Sequence, residues 1–267
     1  MPDRIPSLPD SKHLQVDRLT IKIYNSSTDL AIGAATLARD YLQSLLNKQE
    51  TVSVVLATGN SQLQFLDLLV TALDIDWSRI VLYHLDEYLG IAAEHPGSFR
   101  YYLQEKVANK INPRQFHFIE GDAAQPLAEC RRYSNLLQQQ PIDLCLLGIG
   151  DNGHLAFNEP SVADFSDLAV PRRSRDRDSI KIVKLESKTR QQQVNGGYFP
   201  NLESVPQYAY TLTIPTICQA QKIFCLVPGL HKAEVVRKTL KEEISTNFPA
   251  TILRTQPQAT LFCGQPE

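Results

Sequence analysis

Between Ile142 and Pro160 the chain reads IDLCLLGIGDNGHLAFNEP, and this stretch gathers the side chains best suited to moving protons. An apolar run, residues 142–147, breaks at Gly148, Gly150 and Gly153, and Asp151, Asn152, His154, Asn158 and Glu159 crowd in behind it. Three glycines within six residues let the backbone turn where a Cβ would clash, and leave N–H groups open to a ligand. Glu159, five residues after His154, is spaced to orient the imidazole and favour its charged form, the pairing that general acid–base sites use. A lone histidine in an apolar setting is more often a satisfied core residue. The Gly-rich loop and the nearby carboxylate turn this one toward chemistry.

Such a loop needs a rigid strand behind it, and the chain supplies a series of them. Strand patterns at 19–24, 51–57, 80–85, 115–119 and 142–147 alternate with helix patterns that open at Ser26, after Ser61, at Ser98 and at Pro126. More strands are expected at 180–185, 208–214, 222–227 and 259–263, with a helical turn at 188–194. This alternation predicts an α/β, Rossmann-like three-layer fold, a predominantly parallel sheet covered by helices on both faces. Residues 18–267 read as a single domain, and 1–17, with three prolines and no apolar periodicity, as a flexible arm or a subunit contact.

Composition narrows the function. A net charge of -2 over 267 residues offers no broad attraction to nucleic acid or anionic lipid. The five cysteines are odd in number and lack CxxC spacing, so reduced, buried thiols in the cytosol are expected. Neither a signal-peptide pattern nor a long apolar run is present, which leaves export and membrane insertion unsupported. The basic run of Arg172, Arg173, Arg175 and Arg177, interleaved with Asp176 and Asp178, reads as a solvated loop, with a mobile lid as the functional alternative.

Two other strand ends carry candidate chemistry. Thr58, Gly59, Asn60 and Ser61 follow a strand and open a helix, a turn whose free N–H groups and positive helix end suit a phosphate. A plain strand-to-helix turn would look the same. Asp86 ends the 80–85 strand, where open α/β sheets bind ligands and a desolvated carboxylate can act as a base; bracing a loop is the commoner fate of an aspartate.

GIGDNGHLAFNEP resembles the signature of the glucosamine-6-phosphate deaminase (isomerase) family, and LDEYLGIAAEHPGSF resembles its second motif. Related 6-phosphogluconolactonases differ at both places. The resemblance spans nearly the whole chain after the first 18 residues and implies conversion of glucosamine 6-phosphate and water to fructose 6-phosphate and ammonia, in amino sugar and N-acetylglucosamine catabolism, without a cofactor or metal. It implies Asp86 as the base at C2, His154 as the ring-opening shuttle held by Glu159, and Asn152 as the orienting partner. Thr58, Gly59, Asn60, Ser61, Ala156 and Lys232, in the PGLHKA turn, would bind the substrate and its phosphate. The sequence departs from the family pattern at Asn60, Gln62 and Gly197, the last where many relatives carry a phosphate-contacting Arg, and Arg190 is the candidate substitute. The expected partner is a small amino sugar phosphate; a homo-oligomer is also considered, but not nucleic acid or a membrane. The alternative functions are a lactonase-type hydrolase and a sugar-phosphate sensor without turnover.

Overall fold

The computed structural model describes residues 8–72, 74–166, 168 and 178–264. The chain opens with β1 (Ser11–Val16), β2 (Leu19–Tyr24), α1 (Ser27–Leu46), β3 (Val52–Leu56), α2 (Asn60–Val70), β4 (Ile80–His84) and β5 (Asp86–Tyr88). Then come α3 (Phe99–Leu103), β6 (Gln115–Phe116), α4 (Pro126–Gln138), β7 (Leu144–Leu147), β8 (Ile180–Lys184) and α5 (Ser187–Asn195). The remaining strands and α-helices are β9 (Tyr208–Leu212), α6 (Ile214–Cys218), β10 (Lys222–Val227), α7 (Ala233–Lys241) and β11 (Ala259–Gly264).

Eight strands form one sheet in the order β1-β2-β11-β10-β7-β3-β4-β6, parallel except for the β1–β2 pair. Its central strands are apolar at successive positions because both faces are covered. Val55, Cys145, Leu147 and Cys225 turn to the face packed by α4, α6 and α7, while Val54, Leu56, Leu144, Leu146 and Leu226 face α1, α2 and α3. All five cysteines are buried and none forms a disulfide.

Two expectations need correction. Residues 11–16 are not an unstructured arm: β1 pairs antiparallel with β2 in full register, from Ser11 opposite Tyr24 to Val16 opposite Leu19. It escaped notice because an edge strand exposed along most of its length carries no apolar alternation. The segments around 180–185 and 208–214 do not extend the large sheet. They form β8 and β9, which join β5 in a separate antiparallel sheet of three strands ordered β5-β9-β8.

Leu85 is the hinge between the two sheets. Its N–H donates to Leu56 O in the large sheet (3.1 Å), and its carbonyl accepts from Leu212 N in the small one (2.8 Å). Asp86 therefore stands where the chain leaves one sheet for the other. The basic run from Arg172, apart from Asp178, lies outside the described residues.

Candidate active site

A cleft of about 520 Å³ opens over the carboxyl ends of β3, β4 and β7, lined by Thr58 to Ser61, Asp86, His154, Ala156 and Lys232 among others. These predicted positions, spread over 175 residues, come together because each follows a strand of the parallel sheet or, like Lys232, the turn after β10. Ala156 takes a left-handed conformation at φ 52°, unusual for a residue with a Cβ, on the cleft wall.

One end has the chemistry that suits an anion. Gly59 caps α2 at φ 97°, a value glycine tolerates, no side chain caps the helix, and Gly59, Asn60 and Ser61 line the cleft. Lys232 Nζ donates to Ile149 O (3.1 Å) and to Asp151 Oδ1 (2.6 Å). Two of its three donors are thereby used, and the third is available to a phosphate oxygen. Lys232 in turn holds the Asp151 carboxyl below its usual range.

In the middle stands Asp86, 7% exposed. Burial, and then the neighbouring Glu87 carboxylate, pushes its pKa well up, the condition of a carboxylate suited to taking a proton. Its backbone is tied down by His84, whose Nδ1 donates to Asp86 O (2.9 Å) while Nε2 accepts from Ile119 N (2.8 Å). Both nitrogens are occupied, and burial drives the His84 pKa down to about 3, so this imidazole is neutral. Glu87 is structural: its carboxylate accepts from Tyr88 N, Ser98 Oγ, Phe99 N and Arg100 N and so caps the start of α3.

His154 lies across the cleft, and here the expectation changes. Its Nδ1 is 2.7 Å from Asn152 Oδ1. An amide oxygen only accepts, so Nδ1 carries the hydrogen and Nε2 keeps its lone pair. Burial first and Lys232 second bring the His154 pKa down to about 4, so the ring is neutral instead of charged. A Cβ at Gly150 would fall 2.0 Å from His154 Cε1, which explains the glycine there. Glu159 does not hold the ring. It is fully buried, accepts from Glu186 N (2.7 Å) and from Thr189 Oγ1, and thereby fastens the loop after β7 to the start of α5.

Arg190 is also misplaced by the sequence reading. Its guanidinium donates to Leu202 O (2.6 Å) and Val205 O (2.8 Å), bracing the loop before β9. On α5 the cleft-facing positions are Thr189, Gln192, Gln193 and, just past the helix, Gly196, one helical stripe that excludes residue 190. That stripe, along with Tyr198, Glu186 and His231, was missed. Only the i, i+3, i+4, i+7 spacing could have suggested it, and α5 is too polar for an apolar pattern to reveal which face is inward. Among the described residues no group of three or more His, Cys, Asp and Glu side chains is placed to hold a metal ion.

Residues 25–162 match the model of the family described as glucosamine-6-phosphate isomerases/6-phosphogluconolactonase. The chain belongs to this family. A glucosamine-6-phosphate deaminase of Listeria monocytogenes serotype 4a (strain HCC23) is 33% identical over 88% of this chain and 94% of its own length. A glucosamine-6-phosphate deaminase of Exiguobacterium sp. (strain ATCC BAA-1283 / AT1b) is 35% identical over 70% of this chain and 68% of its own length. Among solved structures, one described as a monomeric glucosamine-6-phosphate deaminase superposes with a TM-score of 0.81 at 30% identity, covering 92% of this chain and 97% of that one. A 6-phosphogluconolactonase from Shewanella baltica OS155 superposes at 0.75 with 18% identity over 94% of this chain and 100% of that one, a likeness of fold.

Proposed function

We propose that this chain is a glucosamine-6-phosphate deaminase, an enzyme that isomerises the amino sugar phosphate and releases ammonia. One observation carries the reading: a single cleft holds a buried carboxylate with a raised pKa, a neutral imidazole with a free lone pair, and a lysine beside an uncapped helix N-terminus. That is a base, a proton shuttle and a phosphate anchor.

Each step is a proton transfer that these groups suit. His154 Nε2 takes the proton of the substrate's O1 hydroxyl and returns one to the ring oxygen, opening the pyranose. Asp86 removes the C2 proton, giving an enolamine, and then returns the proton to C1, which regenerates its carboxylate. The resulting C2 imine adds water and expels ammonia, leaving fructose 6-phosphate. The phosphate sits on the first turn of α2, with Thr58, Ser61 and Lys232, and Asn152 keeps the imidazole in the working tautomer.

The reaction places the enzyme in amino sugar catabolism. Five buried cysteines outside any disulfide favour a reducing compartment such as the cytoplasm, and among the described residues no helix is long and apolar enough to cross a membrane. The test is to incubate the protein with glucosamine 6-phosphate and measure ammonia and fructose 6-phosphate together. Equal amounts, lost in Asp86→Asn, support the reading. Turnover of 6-phosphogluconolactone with no ammonia from the amino sugar would replace it with the lactonase, and binding without product would indicate a sensor.

A further inference from the structure

Behind His154 the hydrogen bonds continue past Asn152. Asn152 Nδ2 donates to Glu186 Oε2 at 3.3 Å, and Ser161 Oγ donates to Glu186 Oε1 at 2.8 Å. Glu186 occupies the N-cap position of α5, yet its carboxylate makes no capping bond to that helix. The side chain is turned the other way, toward the catalytic loop.

The order of donors along this line has a chemical consequence. With its nitrogen engaged by a carboxylate, which only accepts, the Asn152 amide must present its oxygen to the imidazole. A reversed amide would offer NH2 to Nδ1 and drive the ring proton onto Nε2, closing the lone pair needed in the cleft. Asn152 orients the ring but, being uncharged, does nothing by itself for the imidazolium that forms when Nε2 accepts a proton.

We propose that Glu186 is a positioning residue for His154: acting through Asn152, it fixes the Nδ1–H tautomer and supplies the negative charge that steadies the transient imidazolium. The inference rests on the deaminase reading. Glu159 is less suited to the task, although Asn152 also reaches it, because its two oxygens are taken by Thr189 and the Glu186 N–H. The charged groups bearing on the imidazole are Lys232, which opposes its protonation, and Asp151 and Glu186, which favour it; His231 adds its influence at Asp151.

A double-mutant cycle with Asn152→Asp tests this. In the native background Glu186→Ala is expected to lower kcat about tenfold with KM changed less than twofold, and nitrogen NMR of His154 should show a mixture of tautomers. Glu186→Gln, which keeps the hydrogen bonds and removes the charge, should lose about threefold in kcat and retain the single tautomer. With Asp at 152 a carboxylate already meets Nδ1, so Glu186→Ala should cost nothing there or even raise kcat by removing a like charge. Equal losses in both backgrounds, or an unchanged kcat and tautomer in Glu186→Ala, would overturn the proposal. A wild-type protein that releases no ammonia while its His154 tautomer still responds to Glu186→Ala would overturn the deaminase reading and leave the relay standing.

Discussion

The hydroxyl of Tyr198 donates a 2.9 Å hydrogen bond to Asn60 Oδ1, joining residues 138 positions apart across the anion end of the cleft. Asn60 and Gly197 are places where the sequence departs from the family pattern, and this bond brings the two departures together. With its oxygen held by the phenol, the Asn60 amide has its NH2 left to donate to an anion. Tyr198→Phe is expected to raise KM for the sugar phosphate about threefold and to alter kcat less, the scale of one neutral hydrogen bond. Steady-state kinetics check this, and an unchanged KM would remove the pair from substrate binding.

Lys232 and Arg190 separate in function. Lys232→Ala should raise KM at least about tenfold, because a charge-assisted phosphate contact is worth about 1.5–3 kcal/mol. Arg190→Ala should leave KM alone and lower stability by about 1–3 kcal/mol, since the carbonyls of Leu202 and Val205 lose their donor. Urea unfolding beside the kinetics distinguishes them. A large KM effect from Arg190→Ala would return that residue to the phosphate site.

As the proposed base, Asp86 trades stability for reactivity. Its folded pKa is raised, so whatever it contributes to stability is complete below the unfolded value near 4 and is lost as pH rises through the folded value. Ionising the buried group as pH rises is therefore a burden. Asp86→Asn is expected to abolish turnover, by about a thousandfold, and to raise the melting temperature more at pH 8 than at pH 4. A variant that melts lower at pH 8 would contradict the assignment.

The two neutral imidazoles, buried His84 and half-buried His154, work in the opposite direction. His84, near 3, and His154, near 4, are held below the unfolded value of about 6.5. The folded state binds fewer protons in that window, so their contribution is complete above pH 6.5 and is lost as pH falls. Stability should decline steeply between about pH 6 and 4, and His84→Gln should flatten the decline. Thermal melts across that range measure it.

Much of the fold was legible because a parallel sheet covered on both faces writes itself as short apolar runs, as in VSVVL and LCLL. The polar loops at their ends were legible for the same reason. What stayed hidden depended on partners far away in sequence. The small sheet arises from β5 pairing with β9, over a hundred residues later, and no local pattern announces that. Glu159 is close to His154 in sequence yet points to Thr189 and Glu186, while Asn152, only two residues from His154, holds the ring. Arg190 was misjudged by one helical position, a rotation of 100°, which residue type alone does not reveal.

The double attachment of Leu85 places Asp86 on a seam between two structural bodies. The proposed anion anchor, at α2 and the turn bearing Lys232, belongs to the large sheet, whereas β5 hangs Asp86 on the small one. A bound sugar phosphate would thus be gripped by one body and deprotonated from the other. Reaction geometry then becomes a property of how stiffly the two are coupled, and a substitution along the Leu56–Leu85–Leu212 line could retune turnover without approaching the substrate.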